Sequence, residues 1–164
     1  MLKDLLAQIE TAVDANLYLI ALFASLAIPD ICGAIDSEDG TASKSKYINW
    51  FNKYVADKCS FLSGEDCYYF RCSFLHQGST QHPNSSYSRI LFVDPTATTN
   101  VLHCNVFNDA LNIDFRIFCK DMVEAARQWL TNVESTERYT QNIEKFVQRY
   151  PTGLHIISGL PVIS

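Results

Sequence analysis

The stretch that decides the fold is Ser63 to Gly78, SGEDCYYFRCSFLHQG. It reads as one helix with both ends marked. Ser63 can cap the N-terminus, Asp66 three residues on completes a capping-box pattern, and Gly78 supplies a left-handed stop. Inside it lie Arg71, whose guanidinium keeps its charge, and His76, whose imidazole titrates near neutrality. At about 100° per residue, the five steps between them set the two side chains roughly 140° apart around the helix. One copy is therefore expected to make a poor active site. Two copies packed about a two-fold axis present the same patch twice and would bring Arg71 and His76 of both chains into one cleft. The motif asks for a homodimer.

Such a convergence suits phosphodiester chemistry. The imidazole can take a proton from a ribose 2′-hydroxyl or give one to the leaving oxygen, while the guanidinium holds the non-bridging oxygens as charge develops. That chemistry calls for no metal and no cofactor. The R-x4-H spacing of RCSFLH, Arg71 to His76, late in a helix of an otherwise helical chain, resembles the HEPN superfamily (higher eukaryotes and prokaryotes nucleotide-binding). The resemblance covers the motif helix and the general helical layout. It implies a helical bundle, a homodimer, and a metal-independent endoribonuclease of a toxin-antitoxin, antiphage or RNA-processing system. Arg71 and His76 would be its catalytic residues. Active members usually carry a polar residue just after the Arg, and Cys72 stands there instead, a departure that bears on catalysis rather than on fold. The alternative is a catalytically silent HEPN-like module for dimerisation, or for binding a nucleotide or a partner such as an antitoxin. A purely structural helical domain, with both residues on its surface, is a third reading. Tyr69, Ser73, Gln77 and His82 are the candidate substrate-binding residues: Tyr69 and Ser73 can approach the His76 face, Gln77 follows His76, and His82 lies in the loop beyond.

Working outward, 164 residues with 48% hydrophobic and 12% aromatic content suffice for one domain, 1–164, with a proper core. A net charge of -5 argues against a general nucleic-acid coat, so any RNA contact should be local. Lys44, Lys46, Lys53 and Lys58 make the second helix the basic surface, most simply its solvated face. The segment MLKDLLAQIE lacks the pattern of a signal peptide, so a cytoplasmic location is expected. Cys32, Cys59, Cys67, Cys72, Cys104 and Cys119 are then expected to be reduced and mostly buried. A zinc site on Cys67, Cys72 and His76 is disfavoured, because there is no CxxC pair and Cys67 lies off that face.

Helical spacing runs from Leu2 to about Ile28, apolar all round from Leu17. Its 14-residue apolar run, Ala15 to Ile28, falls short of the ~20 a membrane span needs, which points to a central bundle helix and no membrane. Pro29 to Thr41 reads as an acidic, glycine-containing connection. Ser43 to about Lys58 is a second helix with a core stripe of Tyr47, Trp50, Phe51, Tyr54 and Val55. After the Ser63–Gly78 helix and a polar loop come three short strands, Arg89–Asp94, Val101–Phe107 and Ala110–Phe115. Pro95–Asn100 should form one turn and Asn108-Asp109 a tight hairpin turn. These make a small antiparallel insertion at about 88–115, in which alternation points His103 outwards. Helical spacing returns from Arg116 with a break near Ser135 and an end at Pro151. The apolar tail 151–164 carries Gly153, Gly159 and Pro161, so it should be extended and packed on its own bundle or on a second subunit. The expected fold is mainly α, a HEPN-like bundle of four to five helices with the three-stranded insertion. No P-loop, G-x-G-x-x-G, H-E-x-x-H, G-x-S-x-G or internal repeat is present.

Overall fold

The structure is a computed structural model that describes residues 2–94, 96 and 99–164. Its first turning point is Asn16. Where periodicity predicts one helix from Leu2 to Ile28, the chain forms two, α1 (Leu2–Asp14) and α2 (Tyr18–Ile35). Asn16 sits in the left-handed region at φ 57, which an asparagine tolerates better than most residues. The Leu17 N–H then donates to the Ala12 carbonyl at 2.8 Å and the Asn16 N–H to that of Val13 at 3.1 Å, closing α1 with an αL cap.

The second departure is Pro29, expected to end a helix and found inside α2. A proline in a helix interior costs roughly 3 kcal/mol through its missing N–H and its ring clash. Leu26, Ile28 and Cys32, each 0% exposed, offset that cost by burial on both sides of it. The helix therefore continues to Ile35 and brings Asp30 with it. By length and composition α2, 18 residues of mean hydropathy 1.9, is apolar enough to cross a membrane; half of it is buried inside the fold, against α1, α3 and α5.

The following helix is α3 (Lys44–Tyr54), capped by Ser43 and followed by a 3₁₀ turn at Ala56–Lys58. Its aromatic stripe is core as expected: Tyr47, Trp50, Phe51, Tyr54 and Val55 are all buried. Next comes α4 (Gly64–Gln77), with the ends its sequence marks. The Ser63 hydroxyl accepts from the Asp66 N–H at 3.0 Å, and Gly78 closes the helix at φ 64. Asp114 caps α5 (Phe115–Val133) and Thr136 caps α6 (Glu137–Ile143), with the break falling at Ser135. The last helix stops at Ile143, so Phe146, Val147 and Tyr150 do not extend it. The fold is mainly α, with six α-helices among the described residues and one hydrophobic core from Leu2 to Val133.

Three strands, β1 (Arg89–Val93), β2 (Asn105–Phe107) and β3 (Ala110–Asp114), form a sheet in the order β1-β3-β2. The β2–β3 hairpin is antiparallel, turning on Asn108 (φ 49) and Asp109 (φ 59), the backbone signature of a type I′ turn. The pairing of β1 with β3 is parallel, Arg89 opposite Ala110 through Val93 opposite Asp114, which corrects the expected all-antiparallel insertion to a mixed one. The reason lies in the connection: the chain leaves β1, returns through β2 and turns into β3, so β1 and β3 run the same way. Val101–Cys104 precede β2 instead of extending it. Of the expected Pro95–Asn100 turn, Pro95, Ala97 and Thr98 lie outside the described residues. The tail is extended, as β4 (Arg149–Tyr150) with β7 (Val162–Ile163) and β5 (Gly153–Leu154) with β6 (Ile157–Ser158). Its short ladders bind it to itself and leave Ile156, Leu160 and Ile163 exposed.

Candidate functional site

Arg71 and His76 meet within one chain, against the expectation that their angular separation keeps them apart. The guanidinium reaches past Cys72, with NH1 3.8 Å from Sγ, and comes to 3.4 Å from the His76 Nε2. Arginine only donates, so a hydrogen bond here needs the His76 tautomer whose Nε2 is the acceptor. A 140° offset measures Cβ directions, and a side chain as long as arginine can span it. His76 is exposed and Arg71 half-buried, so the imidazole faces solvent from the last turn of the helix.

The partner that sequence reasoning missed is Asp30. Its Oδ2 lies 2.6 Å from the Arg71 NH2, an ion pair whose side chains are only 21% (Arg71) and 15% (Asp30) exposed. Burial raises the Asp30 carboxyl above its usual value, and Arg71 pulls it back in part. The Arg71 Nε is buried with no hydrogen-bond partner among the described residues. The site is thus a three-member row, Asp30–Arg71–His76, from carboxylate through guanidinium to imidazole. Asp30 was legible only to a reading that carried α2 through Pro29.

A second group of expected residues assembles on the same helix. Tyr69 stacks on His82, with ring centroids 4.6 Å apart and planes 13° from parallel. The Lys44 ammonium donates to the Tyr69 hydroxyl at 2.7 Å and to Glu65 at 2.8 Å. The loop carrying His82 is tied down by Asp66, which is 5% exposed. Its carboxylate accepts from the Ser86 N–H at 2.7 Å, the Ser85 hydroxyl at 3.3 Å and the Ser63 hydroxyl at 2.6 Å. One buried carboxylate therefore holds both the start of α4 and the loop beyond its end. Ser73 is buried, 1% exposed, with its hydroxyl unpartnered among the described residues. Gln77 is exposed beside His76.

The lysines of the basic helix are spoken for. Lys44 pairs with Glu65 at 2.8 Å, Lys46 with Asp39 at 2.5 Å and Lys58 with Glu124 at 3.0 Å, while Lys53 lies over the Tyr54 ring. The Asp39 carboxyl is held well below the usual carboxylate range, chiefly by its hydrogen bond from Lys46. The disfavoured Cys67–Cys72–His76 zinc set gains nothing: Cys67 is a core thiol pushed up to about 12 by burial. The expectation of reduced cysteines is corrected at one pair, because Cys59 and Cys104 form a disulfide across 45 residues, a connectivity that sequence does not reveal. Cys32, Cys67 and Cys119 are buried as free thiols and Cys72 is half-buried. An apolar groove of about 360 Å³ lined by Tyr18, Leu22, Phe74, Ile90 and Phe92 adjoins the helix that carries the row. No protein-family model, curated protein or solved structure matches the chain.

Proposed function

We propose that the chain is a HEPN-like, metal-independent endoribonuclease in which Arg71 and His76 act together on an RNA phosphodiester. The observation that carries this reading is their 3.4 Å contact at an exposed helix end. A neutral Nε2 takes the proton of a ribose 2′-hydroxyl; the 2′-oxygen attacks phosphorus and the 5′-oxygen leaves, giving a 2′,3′-cyclic phosphate. Arg71 holds the non-bridging oxygens as their charge grows. The departing oxygen needs a proton, which the His76 of a second protomer supplies in a two-fold dimer. What supports a dimer is the apolar face of α2, where Leu19 and Ile20 are 64% and 63% exposed and the Phe23 ring lies 4.6 Å from that of Phe74 of α4, tilted by 37°. The same two helices hold the Asp30–Arg71 pair.

The second reading, a catalytically silent HEPN-like module that binds a nucleotide, an RNA or a protein partner, is favoured by that ion pair. Asp30 already engages the NH2 of the guanidinium that would hold a phosphate, and Cys72 replaces the usual polar neighbour. The experiment that separates them is cleavage of structured and single-stranded RNAs in EDTA by wild type and His76→Ala at matched oligomeric state. Cleavage leaving 2′,3′-cyclic phosphate ends, lost in His76→Ala, supports the nuclease. No cleavage by a well-folded dimer supports the silent module.

A further inference from the structure

A different corner of the molecule carries chemistry that the Arg71–His76 row does not use. Cys59, at the end of the 3₁₀ turn, and His103 with Cys104, just before β2, bring two Sγ atoms and one imidazole nitrogen within 4.8 Å of one another. Three features make this more than a bridge. The His103 Nε2 sits 3.3 Å from the Cys104 Sγ, so the ring turns its edge to the sulfurs. The His103 Nδ1, on the other side of the ring, is buried without a partner among the described residues, so no hydrogen bond at that nitrogen accounts for the ring's place. Cys104 itself is held at φ 52, a left-handed conformation that costs a non-glycine residue of order 1–3 kcal/mol and that clusters at functional sites. With it, the side chains of two adjacent residues converge where an extended strand would point them to opposite faces.

We propose that Cys59, His103 and Cys104 form a redox-gated site for a zinc-type divalent cation, bound when the two cysteines are thiolates and released when they join. Two thiolates and one imidazole are donors that Zn²⁺ prefers, at about 2.3 Å to sulfur and 2.0–2.1 Å to nitrogen, so ligand atoms of one tetrahedron lie ~3.5 Å apart. Rotation about the Cys side chains opens the sulfurs to that spacing. The fourth position falls to water. Asp121 and Glu124 of α5 face this corner with Lys58 between them, Lys58 Nζ lying 3.8 Å and 3.0 Å from their carboxylates. Burial holds the Asp121 carboxyl above its usual value, with Lys58 and His103 pulling it back. Release is a balanced exchange: a low-molecular-weight disulfide accepts two electrons and leaves as two thiolates, while the Cys59 and Cys104 thiolates form one S–S bond and the cation departs.

The test uses Zn²⁺, and Co²⁺ as its spectroscopic stand-in, on the full chain. After reduction, one equivalent of Zn²⁺ is expected to bind against a chromophoric chelator, and Co²⁺ to show thiolate charge-transfer and tetrahedral ligand-field bands. Treatment with oxidised glutathione should abolish both. His103→Asn, which leaves the bridge and fold intact, should weaken Zn²⁺ binding by more than about tenfold, whereas Cys72→Ser should leave it unchanged. Reduced, folded protein that takes up no Zn²⁺, or binding that survives both His103→Asn and Cys104→Ser, overturns the proposal.

Discussion

Replacing Arg71 by methionine keeps most of its length and removes its charge, stranding the Asp30 carboxylate. At an effective dielectric of about 20 and ~4 Å between charge centres, the pair attracts by about 4 kcal/mol. Both side chains keep some solvent, 21% and 15% exposed, and both were desolvated on folding, which leaves an expected coupling of about 1–3 kcal/mol. The pH dependence has a definite sign. Burial already holds the Asp30 carboxyl above its unfolded value, and loss of Arg71 raises it further. A group whose folded value is raised adds no penalty below its unfolded value, about 3.9, and a growing one as pH climbs through the folded value. Arg71→Met should therefore cost about 1–3 kcal/mol at pH 7 and much less at pH 4. Arg71→Met with Asp30→Asn should recover most of that loss, since no buried charge is then unpaired. Urea unfolding of wild type, both single variants and the double variant at the two pH values closes the cycle. A coupling below about 0.5 kcal/mol, or a cost that does not shrink toward pH 4, would refute the reasoning. The double variant also supplies a fold-matched negative control for RNA cleavage, which Arg71→Ala alone cannot be.

Three further outcomes follow from the same geometry. His76→Ala removes an exposed side chain, so its stability should stay within about 0.5 kcal/mol of wild type while RNA cleavage falls by about 10²–10⁴-fold. Asp66→Ala leaves the Ser86 N–H and two hydroxyls without their acceptor; we expect a loss of about 2–3 kcal/mol and faster amide exchange in residues 79–88. Gly78→Ala meets no atom within 4 Å but must hold φ 64, so it should cost about 1 kcal/mol in thermal unfolding with no change in oligomeric state.

Much of the architecture could be read from local chemistry. The caps on α4 are written in Ser63, Asp66 and Gly78, the core face of α3 in its aromatic spacing, and the β2–β3 turn in Asn108-Asp109. Failures came where a local rule met a tertiary one. An uninterrupted apolar pattern hid the Asn16 stop, although asparagine is the residue that accepts its backbone angle. Pro29 looked like an end because the price of a proline is local, whereas the burial that outweighs it comes from α1, α3 and α5. That one misreading concealed Asp30, and with it the charge partner of Arg71. His103 was assigned to solvent by strand alternation, a period that does not apply because β2 starts two residues later. The angle between Arg71 and His76 misleads because helical wheels place Cβ atoms and not the ends of long side chains.

The position of β3 between β1 and β2 gives it two pairings of different loop length. The β2–β3 hairpin closes locally on its Asn-Asp turn, within microseconds for such a unit. Pairing β1 with β3, on the other edge of β3, closes a longer loop and carries the larger entropy cost. Asp114 ends β3 and caps α5, so one residue sets both the end of the central strand and the start of the longest helix among the described residues. Strand pairing and helix placement thereby share a single five-residue strand.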